Sequence, residues 1–261
     1  MADRNSPIGV FDSGVGGLTV AREIMRQMPT ERIVYFGDTA RVPYGNKSGN
    51  TVIRFTRQII RFLLTQDVKA IVIACNTATA YALEAVEGEL DIPIIGVIHA
   101  GARTATQATK NGKIGIIGTE GTIRSGVYTK VMKGMRSDIE VTGKSCPLLV
   151  PLVEEGLLHD SVTDEIASRY LSELKGKYID TLVLGCTHYP FASHTIGKIL
   201  GPQVEILDGG DGTARETRRR LQEAGLLREG PGEILIENSL PSKQILELSW
   251  RLLGSPKRQE K

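Results

Sequence analysis

IVIACNTATA, residues 71–80, and LVLGCTHYPF, residues 182–191, share one pattern, and the fold is read outward from them. Each is a run of Ile, Val and Leu, then a small residue, a cysteine, and small polar residues leading into a helix-like stretch. A short, continuously apolar run suits a strand covered on both faces, as in a parallel sheet. A second pair stands in the same order: IGVFDSG (8–14) and IGIIGTE (114–120). Two copies of one α/β unit would set equivalent loops facing each other across a cleft.

The rest of the chain extends this pattern. Strands are expected at Ile8–Phe11, Ile33–Phe36, Ala70–Ala74, Ile94–Ile98, Ile114–Ile117, Glu140–Thr142, Thr181–Leu184, Val204–Leu207 and Glu233–Ile236. Helical stretches such as Leu18–Gln27, Asn50–Thr65 and Val162–Lys175 separate them, and alternation of this kind implies an α/β fold. The division expected is residues 1–98 with 208–261 as one domain and 99–207 as the other, with fraying from about Ser255.

The 261 residues suffice for one large domain or two ordinary ones. With 32 Lys+Arg against 30 Asp+Glu, the net charge is +2. That is too little basic excess for a protein that coats nucleic acid. No apolar run reaches the length of a membrane helix, and MADRNSPIGV (1–10) lacks the layout of a signal peptide. Three cysteines, an odd number, argue against a disulfide framework and for a reducing, cytoplasmic setting.

Both motif cysteines end a strand, where open α/β sheets bind ligands. A following helix would aim its N-terminal amides at that spot, favouring anions and drawing a thiol from about 8.5 toward neutrality. Cys75 and Cys186 are therefore candidate thiolates rather than small buried hydrophobes. Cys146, before Pro147, has no such setting and is read as packing. In IGVFDSGVGGLTV (8–20) a strand runs through Asp12-Ser13 into a Gly-rich turn, which brings bare amides close to an anion. It lacks both G-x-G-x-x-G and a Walker lysine, so nucleotide binding has little support. Asp12 is a candidate to hold an ammonium or assist a proton transfer. Asp38, Pro43, Tyr44 and Gly45, in YFGDTARVPYGNKS (35–48), form a loop of the kind that carries function, with turn chemistry the plainer alternative. Glu154 and Glu155 are adjacent carboxylates, which a solvated helix turn also explains. His188 either pairs with Cys186 or is a packed, hydrogen-bonded residue; His99, His159 and His194 receive no role. No Cys/His spacing of the zinc type occurs, so no metal is expected, and there is no C-x-x-C redox motif.

Together, GVFDSGVGGLTV, YFGDTARVPYG, ACNTATA and LGCTHYP resemble the glutamate racemase family in content and order, and DGGDGTARE (208–216) resembles a further family segment in altered form. The resemblance covers most of the chain and weakens beyond about Gln222. It implies two similar open-sheet α/β domains in a pseudo-twofold relation, with the active site between them. It implies conversion of L-glutamate to D-glutamate without pyridoxal phosphate or another cofactor, feeding peptidoglycan synthesis. Carried onto matching positions, it makes Cys75 and Cys186 the two acid/base residues. Asp12-Ser13, Tyr44-Gly45, Asn76-Thr77 and Thr187-His188 become substrate-binding pairs, with Asp38 and Glu154 as supporting acids.

The chemistry suits these residues. Racemisation needs a base on one face of the α-carbon and an acid on the other. One sulfur is expected as thiolate and the other as thiol, titrating as a coupled pair, with Asp12 and His188 orienting the sulfurs. Donors at Ser13, Asn76, Thr77 and Thr187 would stabilise charge on the α-carboxylate; Arg41 receives no role. The expected partner is a small-molecule substrate, with no nucleic acid or membrane, and a homodimer is the expected assembly. Aspartate or hydantoin racemases are the nearest alternative. An anion-binding protein and a thiol redox protein are further ones.

Overall fold

The central strands owe their place to unbroken apolar runs. Strands β1 (Ile8–Asp12), β3 (Ala70–Ile73) and β7 (Thr181–Gly185) are buried at every residue, so both faces are covered. The edge strand β9 (Glu233–Asn238) instead alternates exposed and half-buried residues. The remaining strands are β2 (Arg32–Gly37), β4 (Ile94–Gly96), β5 (Lys113–Gly118), β6 (Glu140–Ser145) and β8 (Glu205–Leu207). The computed structural model describes residues 3–158 and 160–254; His159 and the tail expected to fray from Ser255 lie outside the described residues.

The helices are α1 (Leu18–Gln27), α2 (Gly49–Leu64), α3 (Asn76–Val86), α4 (Val97–Ala108), α5 (Glu120–Ser125), α6 (Val127–Met135), α7 (Leu149–Glu154), α8 (Ser161–Lys175), α9 (Ser193–Leu200), α10 (Gly210–Glu223) and α11 (Lys243–Leu253). Helix α2 shows how they form. Ser48 caps it by accepting from the Thr51 amide, and Val52, Thr56, Ile59, Ile60 and Leu63 make one buried stripe at helical spacing. Burying each of its large aliphatic side chains is worth about 1.5–3 kcal/mol.

The strands form two fully parallel sheets, of five strands (β4-β3-β1-β2-β9) and four (β6-β5-β7-β8). Counted from the start of each sheet, both follow the order fourth, third, first, second; β9 is an addition beside β2. Cys75 follows the third strand of the first sheet, and Cys186 follows the third strand of the second.

The helices after the fourth strands cross over. Helix α4, after β4, packs on α6, β7 and β8, whereas α10, after β8, packs on α1 and β4. The two crossing points touch: a Cβ built on Gly209 would lie 3.1 Å from the Val97 carbonyl oxygen. The apolar run expected as strand through Ile98 ends in the sheet at Gly96, and Val97 and Ile98 begin α4. Both residues are buried where α4 enters the second sheet's layer, so hydrophobicity alone did not mark the change. Among the described residues, no helix is long and apolar enough to cross a membrane.

Candidate active site

Cys75 is the N-cap of α3, its Sγ accepting from the Ala78 amide at 3.5 Å and lying 3.6 Å from Ser13 Oγ. The helix end does not make it a thiolate. Burial first, and then the Asp12 charge, push its thiol up to about 12, against the amide and Ser13. The expectation of a lowered thiol fails here because desolvation outweighs the helix terminus.

Cys186 has a different setting. The chain expected to enter a helix after it makes a 3₁₀ turn over Tyr189–Ala192 first, with Pro190 near its start, and α9 follows. What Cys186 has is His188: Nδ1 lies 3.8 Å from Sγ, and Nε2 donates to Glu154 Oε1 at 2.9 Å. Burial alone would lower the imidazole. Cys186 and Glu154 hold its proton instead, up to about 10. One sulfur thus faces a hydroxyl and an amide, and the other faces a charged ring backed by a carboxylate.

The two cysteines line a single narrow cavity, together with Ser13, Pro43, Tyr44, Gly45, Asn76, Thr77, Thr119, Val150, Gly185, Thr187 and His188. No lysine or arginine is among them. Donors there are amides and hydroxyls, with His188 the single cation.

Asp12 is not in this lining. The Gly14 and Gly17 amides donate to its Oδ2 at 3.1 and 3.0 Å, and Thr187 donates to Oδ1 at 3.3 Å. The Gly-rich turn does cradle an anion, and that anion is the chain's own Asp12 carboxylate. Gly16 lets this loop approach the second cysteine motif: a Cβ there would come within 2.6 Å of His188 Nδ1 and Thr187 Oγ1. Asp38 also acts from behind the cavity. It accepts from the Tyr44 hydroxyl and pairs with Arg41 Nε at 2.6 Å. Arg41 turns outward, over the Phe55 ring at 4.1 Å. Glu155 and Glu154 line an outer cavity with Val42, Leu248 and Trp250, so α11 reaches the back of the His188–Glu154 pair.

Residue reasoning overlooked Thr119, Val150 and Tyr128. Thr119 Oγ1 is 2.8 Å from Thr77 Oγ1, and Thr122 Oγ1 is 3.1 Å from it. The internal parallel contained the signal for Thr119, since IGIIGTE aligned with IGVFDSG sets Thr119 opposite Ser13. Tyr128, whose hydroxyl donates to Asn76 Oδ1 at 2.8 Å, belongs to no repeated motif.

Comparison with known proteins agrees with this fold. Residues 8–217 match the family model described as Asp/Glu/Hydantoin racemase. A glutamate racemase of Geobacter metallireducens is 51% identical over 221 residues, 85% of this chain and 82% of that protein. The crystal structure of a Bacillus anthracis glutamate racemase superposes with a TM-score of 0.93 at 42% identity, covering 96% of this chain and 95% of that one. A Francisella tularensis glutamate racemase, solved in complex with D-glutamate, gives 0.91 at 37% identity over 98% and 96% of the two chains. With two parallel sheets in one strand order and two cysteines on a shared cavity, the chain belongs to the Asp/Glu/Hydantoin racemase family and, within it, to the glutamate racemases.

Proposed function

We propose that this protein interconverts L- and D-glutamate by moving the α-proton between Cys75 and Cys186, and that its D-glutamate supplies peptidoglycan synthesis. The observation that carries the reading is the placement of both sulfurs on one cavity, each after the third strand of its sheet. The domains are then residues 1–98 with 208–261 and residues 99–207, meeting at that cavity. Three buried free cysteines suit a reducing cytoplasm.

In one direction the Cys186 thiolate takes the α-hydrogen, becoming a thiol, and the electron pair is left on the α-carbon and its carboxylate. The Cys75 thiol gives its proton to the opposite face and becomes the thiolate. The other enantiomer runs the same steps with the sulfurs exchanged. His188, its proton held by Glu154, steadies negative charge on Cys186, and Ser13 does so for Cys75. Asp12 positions Ser13 and Thr187 through its loop. Asn76, Thr77 and Thr187 donate to the carboxylates, and the Tyr44-Gly45 turn, anchored by Asp38, closes the side of the cavity. In so dry a site, preorganised neutral donors stabilise the carbanion strongly.

Racemisation in heavy water tests the reading. Two bases deposit solvent deuterium mainly in the product enantiomer during early turnover; equal labelling of recovered substrate indicates one shared base and overturns it. Cys75→Ala and Cys186→Ala should each abolish racemisation of glutamate with the fold intact. Near-normal turnover in either excludes that sulfur. Aspartate, run in parallel in a chiral assay, checks the substrate.

A further inference from the structure

Tyr128 stands on α6, outside both cysteine motifs, yet touches both. Its hydroxyl donates to Oδ1 of Asn76, the residue after Cys75, at 2.8 Å. Its ring lies against Gly185, the residue before Cys186: a Cβ on Gly185 would be 3.4 Å from Tyr128 Cε2. Gly101 of α4 leaves room on another side, its notional Cβ 3.2 Å from the hydroxyl. The side chain is buried. That burial, followed by the charges of Asp208 and Cys186, holds the phenol above its ordinary range, so it stays a donor.

A primary amide offers one acceptor oxygen and two donor hydrogens. At Asn76 the oxygen is taken by Tyr128, while Asn76 itself lines the cavity. Turned the other way, the amide would face a bound carboxylate with its oxygen, and like partial charges would repel. We infer that Tyr128 is a positioning residue for glutamate binding, which by holding the Asn76 oxygen keeps the Asn76 NH₂ facing the substrate carboxylate. This rests on the reading of Asn76 as a substrate contact. It also makes one residue of the second half responsible for the orientation of a binding group in the first.

The test is a double-mutant cycle with Tyr128→Phe, Asn76→Ala and both together, measuring kcat and KM for each enantiomer alongside thermal unfolding. Tyr128→Phe should raise KM about tenfold, equivalent to about 1.4 kcal/mol, and lower kcat less, with the unfolding temperature little changed. In the Asn76→Ala background the same substitution should change KM less than about twofold, because coupled residues are not additive. Additive losses, or an unchanged KM in Tyr128→Phe, overturn the inference. Should Tyr128→Phe fold poorly, Gly101→Ala crowds the hydroxyl within a helix that tolerates alanine. KM should then rise in the same direction, and an unchanged KM counts against the inference. The Asn76 side-chain amide NMR signals should shift in Tyr128→Phe. If Asn76→Ala leaves both constants unchanged while those signals still shift, the substrate contact fails and the Tyr128 contact stands.

Discussion

Glu154→Gln tests how the cation beside Cys186 is maintained. The carboxylate accepts from His188 Nε2 at 2.9 Å, with the His188 side chain 2% exposed and that of Glu154 28%. Two full charges at that distance in an effective dielectric of about 20 would interact by about 6 kcal/mol. The partly exposed flank of Glu154 screens this, and glutamine can still accept a hydrogen bond. The net loss should therefore be that of a charge-assisted bond, about 1.5–3 kcal/mol. At 1.36 kcal/mol per unit this lowers the His188 pKa by about 1–2 units, from about 10. The sign is fixed: His188 loses its proton at lower pH, and Cys186 loses its charged neighbour. The assay is the pH dependence of kcat/KM for D- and L-glutamate, with the His188 ring followed by NMR. The alkaline limb should move down by about the same 1–2 units. If the ring titration moves and the limb does not, His188 protonation does not govern the reaction. If neither moves, Glu154 does not hold the proton.

Other expectations follow from the same contacts. Gly16→Ala forces a methyl to within 2.6 Å of His188 Nδ1 and Thr187 Oγ1, and initial rates should fall about 100-fold, as expected when catalytic groups are displaced; a near-normal rate refutes the close approach. His188 binds its proton more tightly folded than unfolded, so its contribution to stability is complete below pH 6.5 and fades up to about pH 10. Thermal unfolding should show a slope over that interval that His188→Asn lacks. Lys69 and Glu31 form an ion pair at 2.6 Å with both side chains buried. Glu31→Gln should cost about 3 kcal/mol in urea unfolding because it leaves the buried Lys69 ammonium without a counter-charge, with only the Arg4 and Leu226 carbonyls to accept from it. Glu89→Gln, at the exposed pair with Arg57, should leave the urea midpoint almost unchanged, because solvent screens that pair.

The strands were legible because short runs rich in Ile, Val and Leu between turn signals have few other readings, and the repeated cysteine motif gave the two-sheet plan. The strand expected through Val97-Ile98 ran too long because a helix start buried between two layers is as apolar as a strand. The electrostatics were less legible. A cysteine before a helix suggests a lowered thiol, yet the burial of Cys75 and its proximity to Asp12 are tertiary facts that reverse the sign. The Gly-rich turn suggested an anion site, and only the folded chain shows Asp12 already filling it. Tyr128 and the Lys69–Glu31 pair are remote from every motif, and nothing in their neighbours' chemistry marks them.

The exchanged helices α4 and α10 constrain how the halves can move. The chain passes between them at Gly96-Val97 and again at Asp208-Gly209, and those two passages are in contact. Away from that crossing α3 packs on α5, and α5 on the Tyr44–Asn46 turn, so widening the cleft would have to part those contacts. Helix α10 and strand β9 join the first sheet from beyond both passages, so cutting the chain at either one would part that sheet from both.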